Sequence, residues 1–110
     1  SIYRNKAVSQ MFKQDYEEAL KNLELALKDT PDDGYNDVLN GVLNYHVKRY
    51  ESAIKIFSEI THYTGLQDII YYYRGLCYFA IGETPKARAD MQCAARFGSK
   101  DASDWLQQYP

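Results

Sequence analysis

The sequence predicts an all-α protein, a stack of three helix pairs closed by a C-terminal helix. Three observations carry this. Ala19, Ala53 and Ala87 sit 34 residues apart, and a fixed period of that length marks a stacked-repeat architecture. Other columns keep the same step: Ala7, Gly41 and Gly75; Leu23, Phe57 and Met91; Ala26, Ile60 and Ala94; Tyr16, Tyr50 and Thr84; and Pro31, Gly65 and Ser99, which close the three units. Finally, capping and breaking residues cut the chain into helix-length pieces.

The first helix is expected from about Ile2 to Lys13. The second follows Asp15, an N-cap with Glu18 three residues on, and stops before Thr30-Pro31, because a residue preceding proline disfavours helix. Asp32-Asp33-Gly34 reads as a turn. The third helix is expected over about Tyr35 to Val47 and the fourth over about Tyr50 to His62. Thr64 with Gln67 reads as a second capping box, opening a fifth helix that reaches about Ile81 and ends at Gly82. Thr84-Pro85 caps and starts the sixth, where the missing proline N–H costs nothing, and Gly98 ends it in a left-handed conformation. Ser99 then caps a short seventh helix. There Ala102, Trp105, Leu106 and Tyr109 share one face, which makes Trp105 a packing anchor before a ligand contact.

These columns resemble the tetratricopeptide repeat (TPR) family, in particular its bacterial-type members. The residues that carry the likeness are Tyr3, Ala7, Tyr16, Ala19, Leu23, Ala26 and Pro31 in the first unit. In the second they are Gly41, Tyr50, Ala53, Phe57 and Ile60, and in the third Tyr71, Gly75, Tyr78, Ala87, Met91 and Ala94. The resemblance covers nearly the whole chain. It implies a right-handed superhelical stack in one TPR domain over 1–110. Its repeats span about 1–33, 34–67 and 68–101, with a capping helix at about 100–109. The chain reads as a fragment of a longer one, since Ser1 already lies inside the first unit.

The resemblance also implies a concave face built from the first helix of each pair. By alignment it should present Arg4, Val8, Met11 and Phe12, then Val38, Val42, Tyr45 and His46, then Ile69, Tyr72, Leu76 and Phe79. That set is mostly apolar, and soluble monomers rarely expose contiguous apolar patches beyond a few hundred Å². Three readings stand: a groove for an apolar or amphipathic peptide, a face covered by further repeats, or a self-association surface. One TPR subclass grips the C-terminal carboxylate of chaperone tails with asparagines and basic residues on these helices. Here Val8 and Leu39 stand at the asparagine positions, and Ile69 and Tyr73 at those of the third unit's basic pair, so such tails are disfavoured. Asn36, Asn40 and Asn44 form an i, i+4, i+8 row. It reads either as a partly exposed face meeting water or as an amide row for a peptide backbone.

Composition narrows the remaining classes. Thirteen basic and fifteen acidic side chains leave a charge of −2, unlike the basic footprint of a nucleic-acid binder, and Lys48-Arg49 is too small a basic spot to act as one. No apolar run approaches the ~20 residues of a membrane span, and no signal peptide is read. A cytoplasmic or periplasmic location is expected. There is no phosphate-binding glycine loop, and His46 and His62 have no nucleophile pattern nearby. Cys77 and Cys93 lack the partners of a zinc site and read as small buried thiols, with a disulfide between them as the alternative. Glu17-Glu18 and Asp32-Asp33 suit a helix start and a turn. No enzyme, catalytic residue, metal or cofactor is therefore expected. The expected role is a protein-interaction scaffold that binds a protein or peptide partner in the concave groove. A self-associating structural module, a homo-oligomer through the same face, is the alternative.

Overall fold

The computed structural model describes residues 2–29 and 34–110. Among them lie seven helices: α1 (Ile2–Phe12), α2 (Tyr16–Asp29), α3 (Gly34–His46), α4 (Tyr50–Glu59), α5 (Gln67–Ala80), α6 (Thr84–Arg96) and α7 (Lys100–Gln108). They pair as α1/α2, α3/α4 and α5/α6, with α7 against the last pair. The stack measures 41 × 26 × 21 Å, long in one direction as repeat stacking requires. Three apolar clusters succeed one another, and each reaches into the next unit. Leu43 of α3 joins Ala7, Ala19 and Leu23; Ile70 and Cys77 of α5 join Ala53 and Phe57; Ala102 and Trp105 of α7 join Ala87 and Met91.

The alanine column is wholly buried at Ala19, Ala53 and Ala87. The crossing inside each pair trades size between two columns: Ala7 with Leu23, Gly41 with Phe57, Gly75 with Met91. A Cβ on Gly41 would lie 2.5 Å from the Phe57 ring, a clash with a rigid, fully buried aromatic. A Cβ on Gly75 would meet the end of Met91 at 3.0 Å, a side chain that can swing. Gly41→Ala is therefore expected to lose about 2 kcal/mol by overpacking, despite a helix-propensity gain of about 1 kcal/mol. Adding Phe57→Leu reproduces the pairing of the first unit and should restore at least half of the loss. Urea unfolding of the three variants checks this, and additive losses would refute the size trade.

A second periodicity was not foreseen. Gln14, Lys48 and Gly82 all have positive φ (61°, 67° and 83°), again 34 residues apart. At each site the next residue's N–H donates five residues back, to the carbonyls of Gln10, Asn44 and Tyr78. The left-handed residue itself donates three back, to Met11, Tyr45 and Phe79. This is the Schellman closure, and glycine is its natural occupant. Gly98 ends α6 the same way. Because a side chain strains this conformation, Lys48→Gly should raise stability by about 0.5–1 kcal/mol. A thermal midpoint that falls would contradict it.

Several boundaries differ from expectation. Gly34 opens α3 instead of ending a turn, while Thr30 to Asp33, with the expected stop at Pro31, lie outside the described residues. Helix α4 ends at Glu59, short of His62, because Tyr63 is drawn across the start of α3: its ring lies against Gly34 and its hydroxyl is 3.1 Å from Asp37 Oδ2. The capping box at Thr64 does not form. Leu66 takes the N-cap position and packs into the second cluster, and Gln67 Oε1 accepts from the Gly65 N–H at 2.9 Å. Thr84 is the first residue of α6 and Glu83 occupies its N-cap without a side-chain bond, with Pro85 in the first turn. Ser99 does cap α7, its Oγ accepting from Ala102 N at 3.1 Å. The asparagine row turns inward at both ends, with Asn40 half-buried between them. Asn36 and Asn44 are buried, and Asn44 Nδ2 donates to the Asn40 carbonyl at 2.8 Å and to Asn40 Oδ1 at 3.0 Å.

Candidate functional site

The first helices of the three pairs enclose a cavity of about 750 Å³. Helix α1 supplies Arg4, Val8 and Met11; α3 supplies Tyr35, Val38, Leu39 and Val42; α5 supplies Asp68, Ile69, Tyr72 and Tyr73. The fourth wall is the turn from Gly98 to Asp101 at the start of α7. Val38 and Val42 are buried and form the floor, while Tyr35 and Ile69 are exposed at the mouth. The volume lies in the range of small-ligand and peptide-anchor sites, and an apolar floor and walls meet the charged side chains of Arg4, Asp68, Lys100 and Asp101.

Seven of the residues expected on the concave face line this cavity: Arg4, Val8, Met11, Val38, Val42, Ile69 and Tyr72. Phe12, Tyr45, His46, Leu76 and Phe79 do not. Phe12 projects into solvent, 80% exposed. Tyr45 and Phe79 stand in one column and have one role, an edge-to-face contact with the next unit. Tyr45 meets Tyr73 at 5.6 Å, and Phe79 meets Trp105 at 5.3 Å. Leu76 packs into the same third cluster as Phe79. His46 stacks flat on Tyr16 at 4.3 Å and borders a separate depression with Asp15 and Lys48. Burial lowers its pKa, so its imidazole is neutral near pH 7. On α3 and α5 the cavity thus occupies the N-terminal halves, because Tyr45 and Phe79 near their C-terminal ends are spent on bridging units, whereas on α1 it runs from Arg4 to Met11.

Sequence reasoning missed Tyr35, Leu39, Asp68, Tyr73 and the rim at 98–101. The period held the signal for most of them. Tyr35 shares a column with Ile69, and Leu39 with Tyr73. Helix α7 begins where a fourth first helix would stand, so it walls the groove as well as covering the stack. Burial, and after it the charge of Asp101, raises the pKa of the Tyr72 and Tyr73 phenols. Both stay protonated at neutral pH and can donate hydrogen bonds into the site.

Burial, followed by the charge of Glu51, pushes the Cys77 thiol up to about 12, which leaves it un-ionised and unreactive. Cys93 is also a free thiol, so the alternative of a disulfide is not realised. Among the described residues no group of three His, Cys, Asp or Glu is placed to hold a metal ion, and no helix is long and apolar enough to cross a membrane.

The architecture matches solved structures closely. The chain is similar to the first TPR domain of Spaghetti (RPAP3), solved bound to the HSP90 peptide SRMEEVD, with a TM-score of 0.85 over 97% of this chain and 86% of that one at 15% identity. The fold is a tetratricopeptide-repeat fold. The TPR domain of Arabidopsis OM64 aligns with a TM-score of 0.84 over 99% of this chain and 94% of that one, at 13% identity. The Yersinia enterocolitica type III secretion translocator chaperone SycD, in an alternative dimer, aligns at 0.80 over 96% and 82%, with 16% identity. No family model matches the sequence, and no match is found among curated proteins. At these identities the likeness speaks for the fold, while the groove residues are this chain's own.

Proposed function

We propose that this TPR-fold chain is a protein-interaction scaffold that seats an apolar or amphipathic peptide segment in its concave groove. The observation that carries this is the cavity of about 750 Å³ floored by Val38 and Val42 and walled by Val8, Met11, Leu39, Ile69 and Tyr72. Rigid helices hold these side chains in place before a ligand arrives, which keeps the ordering cost of binding low. A neighbour of the same fold holds a peptide, which supports the class of ligand. The acidic sequence of that peptide is a poor guide here, because the two cations of the lining, Arg4 and Lys100, are offset by Asp68 and Asp101.

Tyr72 stands at the centre of the lining and packs edge-on against Tyr73 at 5.2 Å. Tyr72→Ala should weaken partner binding by about 2 kcal/mol or more with the fold intact, as central aromatic anchors do. Isothermal titration with a selected peptide, alongside circular dichroism of the variant, checks this. Unchanged affinity would remove the groove from the binding site. If sedimentation instead shows a wild-type dimer that Tyr72→Ala dissociates, a second copy of the chain is the partner and the module is one of self-assembly.

A further inference from the structure

We propose that the outward face of α1 pairs with the same face of a second copy of this chain, in an antiparallel two-fold dimer that leaves both grooves open. In each later unit, one stripe of the first helix turns to the unit before it. On α3 that stripe holds Leu39, Leu43 and Val47, packed into the first cluster, and His46, stacked on Tyr16. On α5 it holds Ile70, Tyr73 and Cys77, packed into the second cluster, and Arg74, bonded to Ser58 of α4. The period carries the same stripe onto Ile2, Asn5, Lys6, Ser9, Phe12 and Lys13 of α1, all of them exposed. Ile2 is 67% exposed, while its column mates Asn36 and Ile70 are fully buried. Phe12 is 80% exposed, while its column mate His46 has a ring partner in the preceding unit. Helix α1 therefore carries the stack's docking face with no described residue upon it.

The middle of the stripe selects the occupant. Asn5 stands in the column of Leu39 and Tyr73, and Ser9 in that of Leu43 and Cys77. A further repeat docked in the same manner would set apolar side chains over this amide and hydroxyl, which costs free energy when no partner replaces water. A second copy meets them in kind. A two-fold axis at the level of Ala7 brings Ile2 of one copy opposite Phe12 of the other, and Asn5 opposite Ser9, each pair made twice. Positions 2, 5, 9 and 12 have the three-four-three spacing of a seam between two helices. Such a contact is self-complementary, as a closed two-fold interface requires. The two Lys6 ammonium groups fall on the same flank near the axis and repel. That repulsion, with a face smaller than the ~800 Å² per partner of a stable interface, sets a weak dimer with Kd on the order of 100 μM. Arg4, Val8 and Met11 line the groove and lie off this stripe, so each copy keeps its own site. A dimer would then offer two grooves to a partner that carries two segments, and gain by avidity.

The test is sedimentation equilibrium of the intact chain from about 10 μM to about 1 mM. The mass should climb from monomer towards dimer across that range. Phe12→Ser should raise Kd at least tenfold, as loss of an aromatic anchor does. The fold should be untouched, since Phe12 makes no core contact, and circular dichroism verifies it. Lys6→Ala should tighten the dimer roughly threefold, and salt at ~0.5 M should tighten the wild type likewise by screening the two ammonium groups. Tyr72→Ala should leave the association unchanged, and Phe12→Ser should leave peptide affinity per groove unchanged, so this face and the groove are judged separately. A chain that stays monomeric at ~1 mM, with Lys6→Ala monomeric as well, would overturn the proposal and give the face to a different protein. A dimer that Tyr72→Ala dissociates and Phe12→Ser does not would overturn it too, by moving self-association to the groove.

Discussion

Asp90→Ala is expected to cost the fold about 3–5 kcal/mol, the usual penalty for stranding one half of a buried ion pair. Asp90 on α6 accepts from Arg74 on α5 in a two-pronged pair, Nε to Oδ2 and Nη2 to Oδ1, both at 2.8 Å. The Asp90 side chain is 6% exposed and that of Arg74 18%. The guanidinium is also held between units: Nη1 donates to Ser58 Oγ of α4 at 3.1 Å, and its carbon lies 5.4 Å and 5.7 Å from the ring centres of Tyr71 and Tyr78. The hydrogen bond to Asp90 leads in raising the Arg74 pKa, against a desolvation that works the other way. Removing the carboxylate leaves a charged group in place with its solvation gone. An apolar replacement of both partners, Arg74→Met with Asp90→Leu, should recover most of the loss, because it removes the charge along with its counter-charge. The second unit already fills these two columns with Asn40 and Ile56, so the ion pair is not a requirement of the repeat. Chemical denaturation of the single and double variants decides the matter. A single variant within about 1 kcal/mol of wild type would mean the pair contributes no more than a surface bridge.

The repeat was legible because its columns report a geometric necessity. Two helices that cross closely need a small residue at the crossing, and Ala7, Gly41 and Gly75 declare it in every unit. Helix ends were less legible. Left-handed closure at Gln14 and Lys48 is carried by tertiary packing in residues that do not favour it, and only the column shared with Gly82 betrays it. The groove was half legible for a related reason. A pattern of apolar residues marks the buried side of a helix without saying what buries it. Val42 and Tyr45 look equivalent on α3, yet Val42 floors the cavity and Tyr45 lies against Tyr50 and Tyr73. What separates them is the neighbouring unit, which no single helix encodes. The Asn44 burial was missed likewise, since an amide is polar in composition but finds its partner in place once Asn40 lies one turn away.

Trp105→Ala should lower stability by about 3–5 kcal/mol, the range for emptying an aromatic site in a core. Trp105 is 7% exposed and closes the third cluster with Ala102 over Ala87, Met91 and Ala94. Its ring meets Phe79 at 5.3 Å and 90°, and Tyr109 at 4.9 Å, an aromatic triad in which Tyr109 also packs on Phe79 at 4.9 Å. Arg88 Nη1 pins the end of the helix by donating to the Tyr109 carbonyl at 2.8 Å. Deleting residues 99–110 should therefore uncover Leu76, Phe79 and Met91 together, lower the unfolding midpoint and promote aggregation, as stacks without an outer polar face do. The sole tryptophan of the chain is itself the probe. If α7 folds with the stack, the Trp105 fluorescence transition in urea coincides with the loss of helical circular dichroism. An earlier fluorescence transition would mean that α7 undocks on its own and holds the last repeat only loosely. Phe79→Ala completes the argument. It should reduce stability while leaving peptide affinity in the folded protein unchanged, because Phe79 lies under α7 and not in the cavity. A variant that binds weakly yet unfolds as late as the wild type would return Phe79 to the groove.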